Sequence, residues 1–385
     1  MSFLEVLRAE TKRVFSDIAI VLTIIAGVIL YSFLYPQPYA KESVSELGVS
    51  VVDLDRSDMS RDLIFMLDAT PQLSVTRRDL SEDDAKEALI EGKTRGVIVI
   101  PKNFKRDIYL KSSPTISVGA DASYFLIYSG VVEALSRALF TESAKIEIVS
   151  ILKDGHPLEA AKKEYEPFSF TIINLFNSNN SYIEYVIPAI FILILQQTLL
   201  IGMGILGGGI NESLIKRETF YYLEANIYEI IAARFIIFGS IFFVHMLFYF
   251  GFSFSYLGVE RLGDIFDLLN FGVAFLAASI ALGLLLGSLF NSREIATPTI
   301  LFSSLPLVFA TGFVWPKELI PEFINSIALL SPSTLAIDGF LKLNQMGAEF
   351  DLVADNYIIL WSEALLYTIL GYYFINKQRK KYVKI

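Results

Sequence analysis

The chain has 385 residues, of which 54% are hydrophobic and only 19% are charged, whereas soluble domains carry about 25% charged residues. It has no cysteine, which excludes disulfides and thiolate metal sites, and its two histidines argue against a histidine-built metal centre. The net charge of −9 gives no reason to expect nucleic acid as a partner. The composition therefore indicates a membrane protein without a metal site.

Residues 1–17 are expected to form an amphipathic helix that lies in the membrane interface. The apolar side chains share one helical stripe: Phe3, Leu4, Leu7 and Val14. The charged side chains are expected largely elsewhere on the helix: Arg8, Glu10 and Lys12. The alternative is that this segment is a cytoplasmic extension of the first span.

An apolar run over residues 18–35 is long enough for a first transmembrane helix. Basic residues precede it, as they do in a secretory signal peptide. However, the run is long, carries the aromatic residues Tyr31, Phe33 and Tyr35, and is not followed by a small-residue cleavage site. We therefore expect it to be retained as a membrane anchor.

Residues 36–180 have the composition of an ordinary soluble domain. Apolar runs bounded by turn residues predict strands over residues 47–54, 72–76, 96–101 and 115–119. Helical patterns lie between and after them, over residues 60–67, 81–91 and 122–151. Alternating strands and helices predict a small α/β domain inserted between the first and second transmembrane helices.

Two motifs in this domain suggest chemistry. Gly92-Lys93-Thr94 resembles the end of a phosphate-binding loop, but Glu87 occupies the position of the glycine that such a loop needs. We interpret the motif as the end of a helix. Asp53 and Asp55 suggest paired acid–base carboxylates, but acidic residues after a strand commonly form turns or cap the next helix. No catalytic residue is assigned.

Five more spans are expected, which gives about six in all: residues 182–206, 230–257, 268–290, 295–315 and 357–376. Near the end of the second span, glycines at 202, 204 and 207–209 predict close helix packing followed by a break in the helix. Gln196, Gln197 and His245 are polar residues within spans. They are candidates for a translocation path, and the alternative is that they only bridge or pack between helices.

The placement of Lys and Arg predicts the sidedness of the spans, because cytoplasmic segments are enriched in both residues. With a cytoplasmic N-terminus, the inner segments hold most of them: Arg8, Lys12, Arg13, Lys216, Arg217, Arg234, Arg293, Lys377, Arg379, Lys380, Lys381 and Lys384. The short outer loops hold only Arg261, Lys317 and Lys342. Both termini are therefore predicted to be cytoplasmic and residues 36–180 extracytoplasmic.

Two connecting segments are amphiphilic. The inner loop, residues 210–229, combines charges with aromatic residues, which is typical of a short helix parallel to the membrane that offers a docking face. The outer segment, residues 316–340, is broken by prolines and is expected to form short helices that re-enter the outer leaflet.

Motifs in these segments are characteristic when taken together. They comprise residues 179–188, 195–198 and 211–219, then Phe290–Ala296, Pro306, Thr311–Pro316, Ile320–Pro321 and Leu330–Thr334. In their order and spacing they resemble the ABC-2 type exporter permeases, which are transmembrane subunits of bacterial ABC transporters. Residues 48–55, 85–92 and 97–104 are similar to the subgroup with a long extracytoplasmic domain. One departure is the absence of a glycine that the family often has in the inner loop.

The resemblance implies that this chain holds no cofactor and that ATP and Mg²⁺ bind to a separate ATP-binding cassette subunit. It also implies a dimer with a second copy or a homologous permease, a place in the bacterial inner membrane, and in some members a periplasmic adaptor protein. The residues expected to couple to the ATPase are Lys216, Arg217, Glu218, Tyr221 and Glu224. Those expected at an outer re-entrant gate are Gly312, Trp315, Pro316 and Pro321.

The function expected is therefore the export of hydrophobic or amphiphilic substrates, drug-like or lipid-like, since the spans are strongly apolar. The alternative is a non-transporting scaffold or receptor whose extracytoplasmic domain binds a partner. A carrier driven by ions is disfavoured, because such a carrier needs buried charges at mid-membrane and the spans carry almost no ionisable groups.

Overall fold

The computed structural model describes residues 1–39, 46–110, 112–120, 125–153, 182–218, 221–315 and 317–383. The chain divides into two compact units, one made of Met1–Ala40 with Asn174–Ile385 and the other of Lys41–Ile173. The first unit is helical, and the second is built on a small sheet.

The first unit begins with two helices, α1 (Phe3–Ser16) and α2 (Ile18–Leu34), which are bent by 79° relative to each other. Asp17 lies at the bend, and its carboxylate accepts hydrogen bonds from the first backbone N–H groups of α2. The buried stripe of α1 is Val6, Glu10 and Val14, whereas Leu4 is 64% exposed. The prediction was therefore wrong for Glu10, which lies on the buried face because it has a buried cationic partner, whereas a position of Leu4 in the membrane interface stays a prediction.

The second unit contains a four-stranded sheet with the order β2-β1-β3-β4. The strands are β1 (Leu47–Asp53), β2 (Leu73–Asp79), β3 (Gly96–Ile100) and β4 (Ser117–Ala120). The first three are parallel, and β4 is antiparallel to β3. The helices of this unit are α3 (Asp58–Asp68), α4 (Glu82–Ile90), α5 (Phe104–Tyr109) and α6 (Phe125–Lys153). Every predicted strand and helix is present, whereas α5 was not predicted.

Both faces of this sheet are covered, which explains why its strands have continuous apolar runs. Val49 and Val51 of β1 pack in one apolar cluster with Leu63 of α3 and Val131 of α6. Val52 packs on the opposite face with residues that include Ala85 of α4.

The motifs of this unit have structural roles. Gly92 has φ +73° and follows the end of α4, which confirms the helix-end interpretation. The carboxylate of Asp53 accepts hydrogen bonds from the backbone of Asp55 and Arg56 and from the hydroxyl of Ser60. The interpretation of this pair as turn and cap residues is therefore confirmed for Asp53.

The remaining helices belong to the first unit. They are α7 (Tyr182–Ile215), α8 (Tyr221–Glu224), α9 (Ile227–Leu257), α10 (Ile265–Leu289), α11 (Arg293–Ala310), α12 (Glu322–Ala328), α13 (Pro332–Gln345) and α14 (Ala354–Val383). Short π-helical segments lie within α2, α9 and α13. The central helix is α7, whose apolar window is 94% buried, as expected for a helix that is apolar all round.

Among the described residues, four helical segments are long and apolar enough to cross a membrane: Val186–Ile215, Ile227–Leu257, Ile265–Leu289 and Phe350–Tyr382. The number rises to six if two bent pairs each count as one span, namely α1 with α2 and α12 with α13. The helix α11, where the fifth span was expected, is not among these candidates. It ends at Ala310 and contains Pro298 and Pro306.

The glycine-rich part of α7 packs closely against α10. A Cβ atom at Gly207 would meet the backbone of Gly287, so the two helix backbones approach closely at this point. The predicted close packing is therefore confirmed. The predicted break is wrong, because α7 continues through these glycines to Ile215.

Candidate functional site

The segment that joins α7 to α9 has less loop than expected. Residues 211–215 are still helical, so the prediction of a loop from residue 210 was wrong for these residues. The chain then turns at Arg217, which has φ +59°. The short helix α8 follows, and Asn226 caps α9 by accepting a hydrogen bond from Tyr228.

Four of the five predicted coupling residues are exposed. Lys216, Arg217 and Glu218 lie at this turn, and Glu224 lies at the end of α8. Lys216 forms an ion pair with Glu212 one turn earlier, with an N–O distance of 2.9 Å. We call these four residues the exposed ridge. A ridge of mixed charge suits recognition by a complementary protein surface.

The aromatic side chains of α8 point away from the exposed ridge. Tyr222 is buried, with the guanidinium groups of Arg234 and Arg379 at 5.7 and 5.8 Å from its ring centre. Tyr221, the fifth predicted coupling residue, is half-buried. Burial raises the pKa of both phenols, and the charge of Glu10 further raises the pKa of Tyr221. Both side chains therefore stay neutral.

The backbone of α8 is held by the last helix. Arg379 of α14 donates hydrogen bonds to the carbonyl groups of Leu223 and Ala225, at 2.8 and 2.6 Å. Since these carbonyls lie at the end of α8, a cation is favoured there. The side chains of Tyr222, Arg234 and Arg379 thus join α8 to both α9 and α14, and we call them the α8 clamp.

The N-terminal helix is attached to the same region. Arg234 donates two hydrogen bonds to the carboxylate of Glu10, both at 3.2 Å, and each residue is at most 2% exposed. Arg13 donates to the Gly209 carbonyl and to Ser213 of α7. Contacts to α9 and α7 therefore fix α1 beside the α8 clamp.

The two glutamines in α7 bridge helices. Gln196 is buried, donates to the hydroxyls of Ser331 and Ser333, and accepts from the backbone N–H of Ser333 at 2.7 Å. Gln197 donates to Ser304 of α11 at 2.8 Å. These contacts support the bridging interpretation in this conformation, and a place in a translocation path stays a prediction.

His245 also joins two helices. Its Nε2 lies 2.8 Å from the Ile24 carbonyl of α2, and one turn further on Tyr249 donates to the Val28 carbonyl at 2.7 Å. Both carbonyls lie in or next to the π-helical segment of α2, where the regular helical hydrogen bonding is interrupted.

The predicted outer gate residues lie between α11 and α12. Gly312 has φ +89° and packs against the side chain of Lys317, while Trp315 is 54% exposed. Pro321 immediately precedes α12, and Pro316 lies outside the described residues. The bend between α12 and α13 is 94°, and the gating role of this segment stays a prediction.

Sequence reasoning missed several residues, and the expectation of almost no ionisable groups in the spans was incomplete. Arg234 of α9 and Glu363 of α14 are both buried within candidate spans. Asp338 of α13 forms ion pairs with Lys317 and Lys342. A charge inside an apolar run was the available signal, but only its partner in the fold shows whether it is compensated.

Within the described residues, no group of three or more His, Cys, Asp or Glu side chains could hold a metal ion.

The chain matches the family model described as ABC-2 family transporter protein over residues 17–373. No curated protein matches the chain.

Proposed function

Because this chain belongs to the ABC-2 transporter family, we propose that it is the permease subunit of an ATP-driven exporter. Permeases of this family work in general with an ATP-binding cassette partner. We propose that ATP and Mg²⁺ are bound by that partner and that its docking surface on this chain is the exposed ridge.

The observation that carries the proposal is that α8 contributes Glu224 to the exposed ridge and Tyr222 to the α8 clamp. A partner that pushes on Glu224 moves a helix whose last carbonyls are bound to Arg379. Tyr222 lies against Arg234 as well, so the same movement reaches α9 and, through Glu10, also α1. A push at one surface is thereby distributed to three helices.

We further propose the arrangement in the membrane. Both termini are cytoplasmic, the unit Lys41–Ile173 is extracytoplasmic and contacts a periplasmic adaptor or gates the exit, and two permeases pair in the bacterial inner membrane. Apolar spans support hydrophobic or amphiphilic substrates, although surfaces that face lipid have the same composition.

The test is to reconstitute the full chain in lipid with a candidate ATP-binding subunit and to measure both complex formation and ATP turnover. Lys216→Glu and Glu224→Lys reverse charges on the exposed ridge and are expected to weaken complex formation. Arg379→Gln removes the guanidinium group that donates hydrogen bonds to the Leu223 and Ala225 carbonyls. This variant is expected to bind the ATP-binding subunit normally but to show a smaller increase in ATP turnover when substrate is added. Glu318→Lys, at an exposed site outside the α7–α9 segment, is the matched control.

Two results would contradict the proposal. One is normal binding and turnover in the charge-reversed variants. The other is the failure of any ATP-binding subunit to form a stable complex while the unit Lys41–Ile173 retains a protein partner, which would instead support the scaffold alternative.

A further inference from the structure

A buried carboxyl group in the last candidate span has an oxygen atom that accepts no hydrogen bond from the described residues. Glu363 is 7% exposed and belongs to the buried face of α14, together with Leu360, Ala364 and Tyr367. Its Oε2 atom is fully buried and meets no hydrogen-bond donor within the described residues. The span that contains it runs over Phe350–Tyr382, so Glu363 lies well inside the span.

The packing of α14 against α10 shows what surrounds this group. The two helices run in parallel, because Tyr357 donates to Asn270 at one end and Gln378 donates to the Ser288 carbonyl at the other. By this register Glu363 lies level with the middle of α10. Ser279 of α10 is also fully buried without a hydrogen-bond partner in the described part of the chain, and it lies about one helical turn from that level.

In the described part of the chain, no cation forms an ion pair with Glu363 from the elements that pack around it. The charged and titratable residues other than tyrosine that these elements contribute are Asp267 of α10, Glu229, Arg234 and His245 of α9, Asp338 and Lys342 of α13, Asp351 in the turn before α14, and Asp355, Lys377, Arg379, Lys380 and Lys381 of α14. The tyrosines are Tyr228, Tyr249 and Tyr256 of α9 and Tyr357, Tyr367, Tyr372, Tyr373 and Tyr382 of α14. Arg234 pairs with Glu10, and Lys342 pairs with Asp338. The cations of α14 begin at Lys377, about 21 Å further along the helix than Glu363. Tyr367 donates its hydroxyl to the Leu330 carbonyl.

An ionised carboxylate in this position would be an unpaired charge in an apolar seam, which is strongly unfavourable. We propose that Glu363 is a proton-binding site, whose carboxyl group holds a proton while α14 is packed against α10. Separation of the two helices would expose the group to water and release the proton. The inference is independent of the proposed exporter function.

The test uses the full chain in lipid nanodiscs and compares the wild type with Glu363→Gln, an uncharged isostere. At neutral pH, the infrared spectrum of the wild type is expected to contain the carbonyl stretch of a protonated carboxylic acid. The spectrum of Glu363→Gln is expected to lack this band, so the band should remain when the second spectrum is subtracted from the first. Asp355→Asn, at an exposed site on the same helix, is the matched control and is expected to leave that band in place.

A second measurement follows from linkage. A group that is protonated in the folded chain and ionised in the unfolded chain stabilises less as the pH rises. The unfolding temperature of the wild type should therefore fall relative to that of Glu363→Gln as the pH rises above the pKa of an unfolded glutamate, about 4.3. The proposal is overturned if the protonated band is absent from the wild type, or if the two proteins show parallel pH dependence. If Glu363→Gln does not fold, the apolar variant Glu363→Met takes its place in both measurements, and the protonated band must be absent from it as well.

Discussion

The ion pair between Glu10 and Arg234 allows the sharpest prediction. Both side chains are buried and joined by two hydrogen bonds of 3.2 Å, so removing either partner leaves a charge with little access to water. Loss of one member of such a pair costs about 3–5 kcal/mol. We therefore expect Glu10→Leu and Arg234→Met each to lower the free energy of unfolding by about that amount.

The double variant Glu10→Leu/Arg234→Met is expected to recover most of this loss. It replaces the pair by apolar side chains of comparable length, and such replacements of buried pairs are often neutral. Part of the loss will remain, because Arg234 also lies over the ring of Tyr222, a contact worth roughly 0.5–2 kcal/mol. The double-mutant cycle should therefore show strong coupling between the two positions.

The assay is reversible unfolding of the full chain in mixed micelles, with the four proteins of the cycle measured under one condition. Glu212→Gln, which breaks the exposed ion pair with Lys216, is the control and should change little. Additive losses in the double variant would refute the reasoning, as would single variants that unfold like the wild type.

Three further predictions concern other contacts. Gly207→Ala should lower the free energy of unfolding by about 1–3 kcal/mol, because the added Cβ atom overpacks against α10. Gly209→Ala has open space at its Cβ position and should be tolerated, which unfolding measurements on both variants will test. Gln196→Leu should lower the free energy of unfolding by about 1–3 kcal/mol, because its hydrogen-bond partners would stay buried without a partner. Gln197→Leu should lower it by less, and thermal unfolding of both variants will show the difference. Hydrogen bonds from Arg77 and then Ser50 lower the pKa of Asp79, so its stabilisation of β2 is complete above the unfolded pKa and is lost as the pH falls through the folded value. The protection of the β2 amides against hydrogen exchange, relative to their intrinsic exchange rates at each pH, should therefore fall in acid, and less so in Asp79→Asn.

The sequence predicted the local structure of the second unit well. Its strands are short apolar runs bounded by turn residues, and its helices begin at capping serines such as Ser57 and Ser81, so the signals are local. The extra helix α5 was missed because it is only six residues long and has no clear apolar period.

The site was less predictable, because its important contacts join residues that are far apart in the sequence. Glu10 and Arg234 are separated by 224 positions, and each alone looks like an ordinary surface charge near a membrane boundary. The length of α7 was underestimated for a related reason. Glycines usually weaken a helix, and only the neighbouring backbone of α10 explains why this stretch stays helical.

The length of α7 has a mechanical consequence. Its 34 residues correspond to a rod of about 51 Å, which exceeds the roughly 30 Å of a bilayer's hydrocarbon core. A continuous rod of this kind works as a lever, since a tilt of about 5° around one end displaces the other by about 4 Å. Pro188 lies near the start of α7, so the rod can pivot there. The other end, next to Lys216, can then travel by a bond length or more, while Gln196 moves less than half as far.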